Sequence, residues 1–200
     1  MSITVLEPGP LTTVQDAGRI GYAAQGYRSC GAADRYAYRL ANALLGNPET
    51  AAVLECTLCG AALRFEKDVV FALTGADSRA TLDDVPVPFY APLYAKAGSV
   101  LHMGAVLTGL RSYLAVGGGM ATPPVLGSRS TDVKCQIGGL AGRRLQKGDT
   151  LPVGTCDAKA LWQRITARQL NRPLKDKLVC VGAHPVREQG AKCLPLLRAV

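Results

Sequence analysis

Several features that would settle this chain's class at once are scarce or missing. Only 6% of its 200 residues are aromatic, two are histidine, and no long apolar run is present. A membrane-crossing helix needs about 20 consecutive apolar residues. The two longest uncharged stretches, 85–95 and 112–128, are interrupted by proline and glycine. The first residues show no basic-then-apolar signal pattern, so a soluble, cytoplasmic protein with no membrane partner is expected. His102 and His184 lack the spacing that places two imidazoles on one helix face. The Cys56-x-x-Cys59 pair has no second pair to complete a zinc set. No metal is therefore expected. The seven cysteines, odd in number and irregularly spaced, read as core or turn residues in a reducing compartment.

Charge excludes a further class. The net charge of +8 is uneven: residues 151–200 hold 9 Lys or Arg against 3 Asp or Glu, leaving 14 against 12 for residues 1–150. Base stacking needs aromatics among the cations, and the basic end offers only Trp162, so nucleic acid is not an expected partner.

What is present is 48% hydrophobic residues with 22 glycines and 12 prolines, enough for a core built from short strands joined by turns. Candidate strands are Ile3–Leu6, Ala52–Glu55, Ala62–Phe65, Val69–Thr74, Ser78–Leu82, Val100–Met103 and Arg111–Val116, with a hairpin tip at Asp83-Asp84. One clear helix is predicted over Ala32–Leu45: Ala37, Leu40, Ala41 and Leu44 recur at helical spacing, Ser29 or Asp34 can cap its start, and Gly46 can end it. The expected architecture is mainly β, a barrel or sandwich over residues 1–153. Residues 154–177 follow as a connector of weak helical periodicity. The strand-like Leu178–Val181 then opens an incomplete second half or divergent tail over 178–200.

Chemistry concentrates in the stretch 117–132. Gly117, Gly118 and Gly119 follow a strand, and Gly127 leads into Ser128, Arg129, Ser130, Thr131 and Asp132. Glycines let backbone amides approach a ligand, while hydroxyls and a guanidinium add donors, which together suit an anion or a developing oxyanion. Candidate catalytic residues are Asp77, Arg129 and Asp132, with Asp132 expected to orient Arg129. The glycines, Ser128, Ser130 and Thr131 are candidate anion ligands, and a capped turn is the alternative use of the same residues. Asp16 and Arg19, in an Asp-x-Gly-Arg turn, form a candidate secondary polar site or a surface ion pair.

Four phrases occur here in order: 6–19, Leu-Glu-Pro-Gly-Pro-Leu-Thr-Thr-Val-Gln-Asp-x-Gly-Arg; 39–47, Arg-Leu-Ala-Asn-Ala-Leu-Leu-Gly-Asn; 73–77, Leu-Thr-Gly-Ala-Asp; and 124–132, Pro-Val-Leu-Gly-Ser-Arg-Ser-Thr-Asp. Together they resemble the biotin-dependent carboxyltransferase, or allophanate hydrolase subunit 2, family, whose prokaryotic members include the KipA-type component of 5-oxoprolinase, its C subunit. The resemblance covers roughly residues 3–153. It implies a cyclophilin-like β-barrel. It also implies work beside a KipI-like B subunit and the A subunit of the same enzyme, in an ATP-dependent opening of a small cyclic amide, 5-oxoproline, to glutamate. Two other roles follow from it: carboxyl transfer to a urea-like amide from biotin carried on another chain, since no Met-Lys-Met carrier motif is present, or a non-catalytic module that binds a KipI-like partner. Family members carry a second barrel-like half, of which this chain is expected to hold at most the start.

Overall fold

The computed structural model describes residues 1–171. In chain order the elements are β1 (Ser2–Glu7), β2 (Thr12–Gln15), α1 (Arg35–Leu45), β3 (Val53–Thr57), β4 (Ala62–Phe65), β5 (Val69–Gly75), β6 (Thr81–Leu82), β7 (Val85–Pro86), β8 (Pro92–Ala95), β9 (Val100–His102), β10 (Arg111–Val116), β11 (Thr150–Pro152) and α2 (Ala158–Asn171). Two antiparallel sheets result, one in the order β11-β1-β4-β9-β6-β7 and the other β2-β3-β10-β5-β8. This is the mainly β architecture expected, with a second helix added.

Strand alternation decides which side chains meet. Ile3, Val5, Leu63, Phe65 and Leu101 of the first sheet face Val14, Leu54, Phe71, Leu73, Leu114 and Val116 of the second across one buried core. The other face of the second sheet, with Val53, Val70, Ala72, Tyr113 and Ala115, is also buried, beneath α1 and α2. A sheet covered on both sides explains why β5 reads as a continuous apolar run and not as an alternating one.

Helix α1 starts where Asp34 accepts from the Ala37 amide at 3.0 Å and stops at Gly46 in the left-handed region. Its buried face is Ala37, Tyr38, Ala41, Asn42 and Leu45, rotated from the predicted stripe, so Leu40 and Leu44 are only half-buried. Asn42 belongs to that face because its amide donates to the Ala51 carbonyl at 2.9 Å.

The stretch read as a connector carries α2. Asp157 caps it by accepting from the Lys159 and Ala160 amides, both at 3.0 Å. Ala158 and Leu161 are buried on the sheet, and the Trp162 ring lies 5.9 Å from that of Tyr94. Ala158, Leu161, Trp162 and Ile165 are spaced i, i+3, i+4 and i+7, an apolar stripe obscured in the sequence by the basic residues around it. The expected strand Ser78–Leu82 shortens to Thr81–Leu82, while the Asp83-Asp84 hairpin tip forms with both residues at positive φ. The expected strand Leu178–Val181 and the tail 178–200 lie outside the described residues.

Candidate functional site

Strand β2 carries a buried carboxylate to the rim of the second sheet. Asp16 Oδ1 accepts from Ser128 Oγ at 2.7 Å, Ser130 Oγ at 2.6 Å and the Gly18 amide at 2.8 Å, while Oδ2 accepts from the Arg129 amide at 2.6 Å. Burial alone would raise this carboxyl group. The Ser130 and Ser128 hydroxyls and the Arg129 and Gly18 amides outweigh it and hold Asp16 below its ordinary value. The hydroxyl-rich loop does hold an anion, then, but the anion is the chain's own Asp16. Ser128 and Ser130 are spent on it. Thr131 donates both its amide and its hydroxyl to the Val14 carbonyl, at 2.9 and 3.0 Å. Gly127 pairs with Leu126 as the two positive-φ residues of a hairpin closed by reciprocal Val125 and Ser128 backbone bonds. These residues fit the capped-turn use, with the Ser128, Ser130 and Thr131 hydroxyls engaged inside the chain.

Arg19 is buried and does not pair with Asp16, in contrast to the expected ion pair. Its Nε donates to the Val125 carbonyl and its Nη2 to the Ser130 carbonyl, each at 3.1 Å, and Nη1 is buried with no hydrogen-bond partner among the described residues. Asp132 does not orient Arg129 either. Its Oδ1 accepts from the Lys134 and Cys135 amides at 3.0 and 3.1 Å, and its Oδ2 lies 4.0 Å from Arg28 Nε with no N–H or O–H donor in hydrogen-bond range among the described residues. Burial pushes the Asp132 carboxyl up, yet the Cys135 amide, the Cys135 and Cys30 thiols and the Lys134 amide together hold it low. Arg129 is half-buried, and its Nε has no partner among the described residues.

The glycine run does something else. Gly117 donates to the Val70 carbonyl at 2.8 Å, Gly118 to Asn47 Oδ1 at 3.1 Å and Gly119 to the Val116 carbonyl at 2.9 Å, so no amide is left for a ligand. A Cβ at Gly118 would sit 2.8 Å from the Gly154 carbonyl oxygen, which makes this run a close-packing device beneath the approach to α2. Asp77 is also apart from the others. Exposed, with its side chain turned onto the Arg79 amide at 2.8 Å, it follows Gly75. Gly75 is in register with Ser112, Cys56 and then Thr12, at the far end of β2 from Asp16.

What the structure brings together around Asp16, and sequence reasoning missed, is the loop from Arg19 to Ser29. Arg19, Ile20, Gly21, Ala23, Tyr27, Arg28 and neighbouring residues line an open cleft of about 490 Å3. Four backbone amides fix its base: Arg19 donates to the Ser29 carbonyl at 2.6 Å, Ala32 to the Asp16 carbonyl at 3.0 Å, Ala33 to Glu55 Oε2 at 2.8 Å and Asp34 to Tyr113 Oη at 2.7 Å. Glu55 is buried and also accepts from Tyr113 Oη and from Arg111. Burial, followed by the Asp132 charge, raises the Cys30 thiol, and the Asp132 hydrogen bond raises that of Cys135. No group of three or more His, Cys, Asp or Glu among the described residues could hold a metal ion. The only advance signal was Gly26-Tyr27-Arg28-Ser29-Cys30-Gly31, a glycine-bounded segment just before a helix.

The model of the family described as "Carboxyltransferase domain, subdomain A and B" matches residues 25–188. The chain belongs to this carboxyltransferase family. It is 49% identical over 152 residues to the 5-oxoprolinase C subunit of Escherichia coli, covering 76% of this chain and 49% of that one. To the 5-oxoprolinase C subunit of Haemophilus influenzae it is 43% identical over 149 residues, covering 74% and 48%. The solved urea amidolyase of K. lactis superposes with a TM-score of 0.74 at 39% identity, covering 78% of this chain and 10% of that one. The carboxyltransferase chain spans about half the length of the two 5-oxoprolinase relatives it matches. Among its described residues no helix is long and apolar enough to cross a membrane.

Proposed function

We propose that this carboxyltransferase-family chain serves in a cytoplasmic 5-oxoprolinase-type complex that hydrolyses a small cyclic amide, 5-oxoproline, to glutamate. The KipI-like B subunit and the A subunit of that enzyme are its partners. The observation that carries this reading is the 49% identity to the 5-oxoprolinase C subunit. The cleft suits the chemistry. Opening a lactam builds negative charge on the carbonyl oxygen, and a guanidinium that lines the cleft can stabilise it. Arg28 lines that cleft, and Arg129, its Nε unpartnered among the described residues, is tied to the Asp16 hub through its amide.

ATP belongs with the partner chains in this reading. Phosphate cradles need free amides, and those of Gly117, Gly118 and Gly119 are all engaged. The test is ATP- and partner-dependent release of glutamate from 5-oxoproline, using the chain mixed with its two partners. Release that falls with Arg129→Ala while complex assembly is retained supports the reading. Absence of any release that depends on this chain refutes it.

The fit to urea amidolyase favours a second reading, carboxyl transfer to a urea-like amide with biotin carried on another chain. Co-purification of a biotinylated protein, together with bicarbonate-dependent carboxylation of urea, would favour it over the first.

A further inference from the structure

The Arg19–Ser29 cleft holds a guanidinium that no carboxylate of the described residues pairs closely. Arg19 and Arg28 line the cleft, and the carboxylates of its surroundings are Asp16 and Asp132. Asp16 is already satisfied by two hydroxyls and two amides, none of them from a guanidinium. Among the cations of the described residues Asp132 meets only Arg28, at 4.0 Å, too long for a hydrogen bond. The Arg28 guanidinium is therefore left without a close carboxylate partner among the described residues.

The cations differ in reach. Arg19 is buried, with two of its nitrogens bonded to carbonyls, so it is a fixture of the wall. Arg28 is the free one: its side chain is 54% exposed, and no hydrogen bond engages its guanidinium among the described residues. Beside it, Ile20 is 79% exposed and Tyr27 36% exposed, apolar surface that water covers at a cost. A planar cation next to an apolar wall matches a ligand with a carboxylate at one end and a small aliphatic ring at the other.

We infer that Arg28 is the specificity-determining residue of this cleft, binding the carboxylate of a small monocarboxylic acid whose apolar body packs on Ile20 and Tyr27. The inference rests on the proposed function for the choice of acid, 5-oxoproline, and names the group that would tell it from a neutral lactam. Arg28 swings from its loose contact with Asp132 to a bidentate pair with the ligand. The ligand's carboxylate supplies the close partner that Arg28 lacks, and Asp132 retains its amide and thiol partners.

The probes are sodium 5-oxo-L-proline and 2-pyrrolidinone, the same ring without its carboxylate. Each is titrated into the full chain while the backbone amide resonances of residues 19–29 are followed. 5-Oxoproline is expected to shift them with a dissociation constant on the order of 1 mM. Losing one charge-assisted contact weakens binding about tenfold or more, which is expected both for 2-pyrrolidinone and for 5-oxoproline on Arg28→Gln. Lys159→Gln, on α2, removes the same charge elsewhere and is expected to bind like the parent. Equal binding of both probes, an unchanged affinity in Arg28→Gln, shifts confined to other residues, or no shift at all overturns the inference. The two readings fail separately. Partner-dependent turnover without cleft binding removes this inference alone, and cleft binding without turnover removes the proposed function alone.

Discussion

Replacing Asp16 by asparagine isolates the interaction on which the site's shape depends. The carboxylate accepts four hydrogen bonds, three at Oδ1 and one at Oδ2, in a buried setting. An asparagine in the same pose keeps its oxygen toward Gly18, Ser128 and Ser130 but turns an NH2 group onto the Arg129 amide, now held at 2.6 Å from Oδ2. The serine hydroxyls can rotate and the Arg129 N–H cannot, so one donor faces another and the remaining bonds lose their charge assistance. With about 1.5–3 kcal/mol for a hydrogen bond to a charged group and a comparable cost for an orphaned buried donor, the expected loss is about 2–4 kcal/mol.

The pH dependence gives the test its sign. Asp16 is held below its ordinary value of 3.8 in the folded chain, so near that pH the unfolded state binds more protons and stability rises with pH. The Asp16 contribution is complete above the unfolded value and disappears as pH falls through the folded one. Urea unfolding monitored by Trp162 fluorescence, run for the parent and Asp16→Asn at neutral pH and at steps downward through the carboxylate range, measures both effects. The gap between the two proteins should be full at neutral pH and close at the acid end. A gap within about 0.5 kcal/mol at neutral pH, the range of an ordinary surface change, would refute the reasoning. So would a gap that stays constant as the pH drops.

Three further outcomes follow from contacts already described. Gly154→Ala drives a Cβ into the Gly118 carbonyl at a backbone-to-backbone approach, and should cost about 1–3 kcal/mol and change Trp162 emission as α2 shifts; unchanged emission and stability would count against the packing role of the glycine run. Glu55→Gln should increase hydrogen exchange at the Ala33 and Asp34 amides and lower stability by about 1–3 kcal/mol, checked by exchange mass spectrometry and urea unfolding. Cys135 is exposed, yet the Asp132 hydrogen bond raises its thiol, so iodoacetamide should label it more slowly at neutral pH than it labels the same residue in Asp132→Asn; equal rates would show that the carboxylate does not restrain it.

Much of the fold could be read from the sequence because its signals are local. α1 carries its own cap at Asp34 and its own stop at Gly46, and the Asp83-Asp84 tip needs only its two positive-φ residues. The elements that escaped notice lack such marks. β8 begins at a proline, β11 has three residues, and α2 owes its place to the sheet under Ala158 and Leu161 more than to its own composition. Their existence is decided by what they pack against, which is written elsewhere in the chain.

The candidate site shows the same division at the level of chemistry. Ser128, Arg129 and Ser130 do surround a negative charge, as their residue types implied, but Asp16 lies more than a hundred residues away in sequence, and only the path of β2 beside Thr131 brings it there. Once that carboxylate occupies the loop, the loop is no longer a receptor and becomes a clamp. Its backbone holds Arg19 through the Val125 and Ser130 carbonyls, and the Arg19 amide in turn holds Ser29, the residue next to Arg28. A change at Ser128 or Ser130 should therefore reach any ligand in the cleft indirectly. Ser130→Ala is expected to weaken 5-oxoproline binding in proportion to the stability it removes, whereas Arg28→Gln weakens binding with stability unchanged. If Ser130→Ala abolished binding while leaving stability intact, the hydroxyl would be touching the ligand itself, and the clamp would have to give way to the direct anion site that the residue types first suggested.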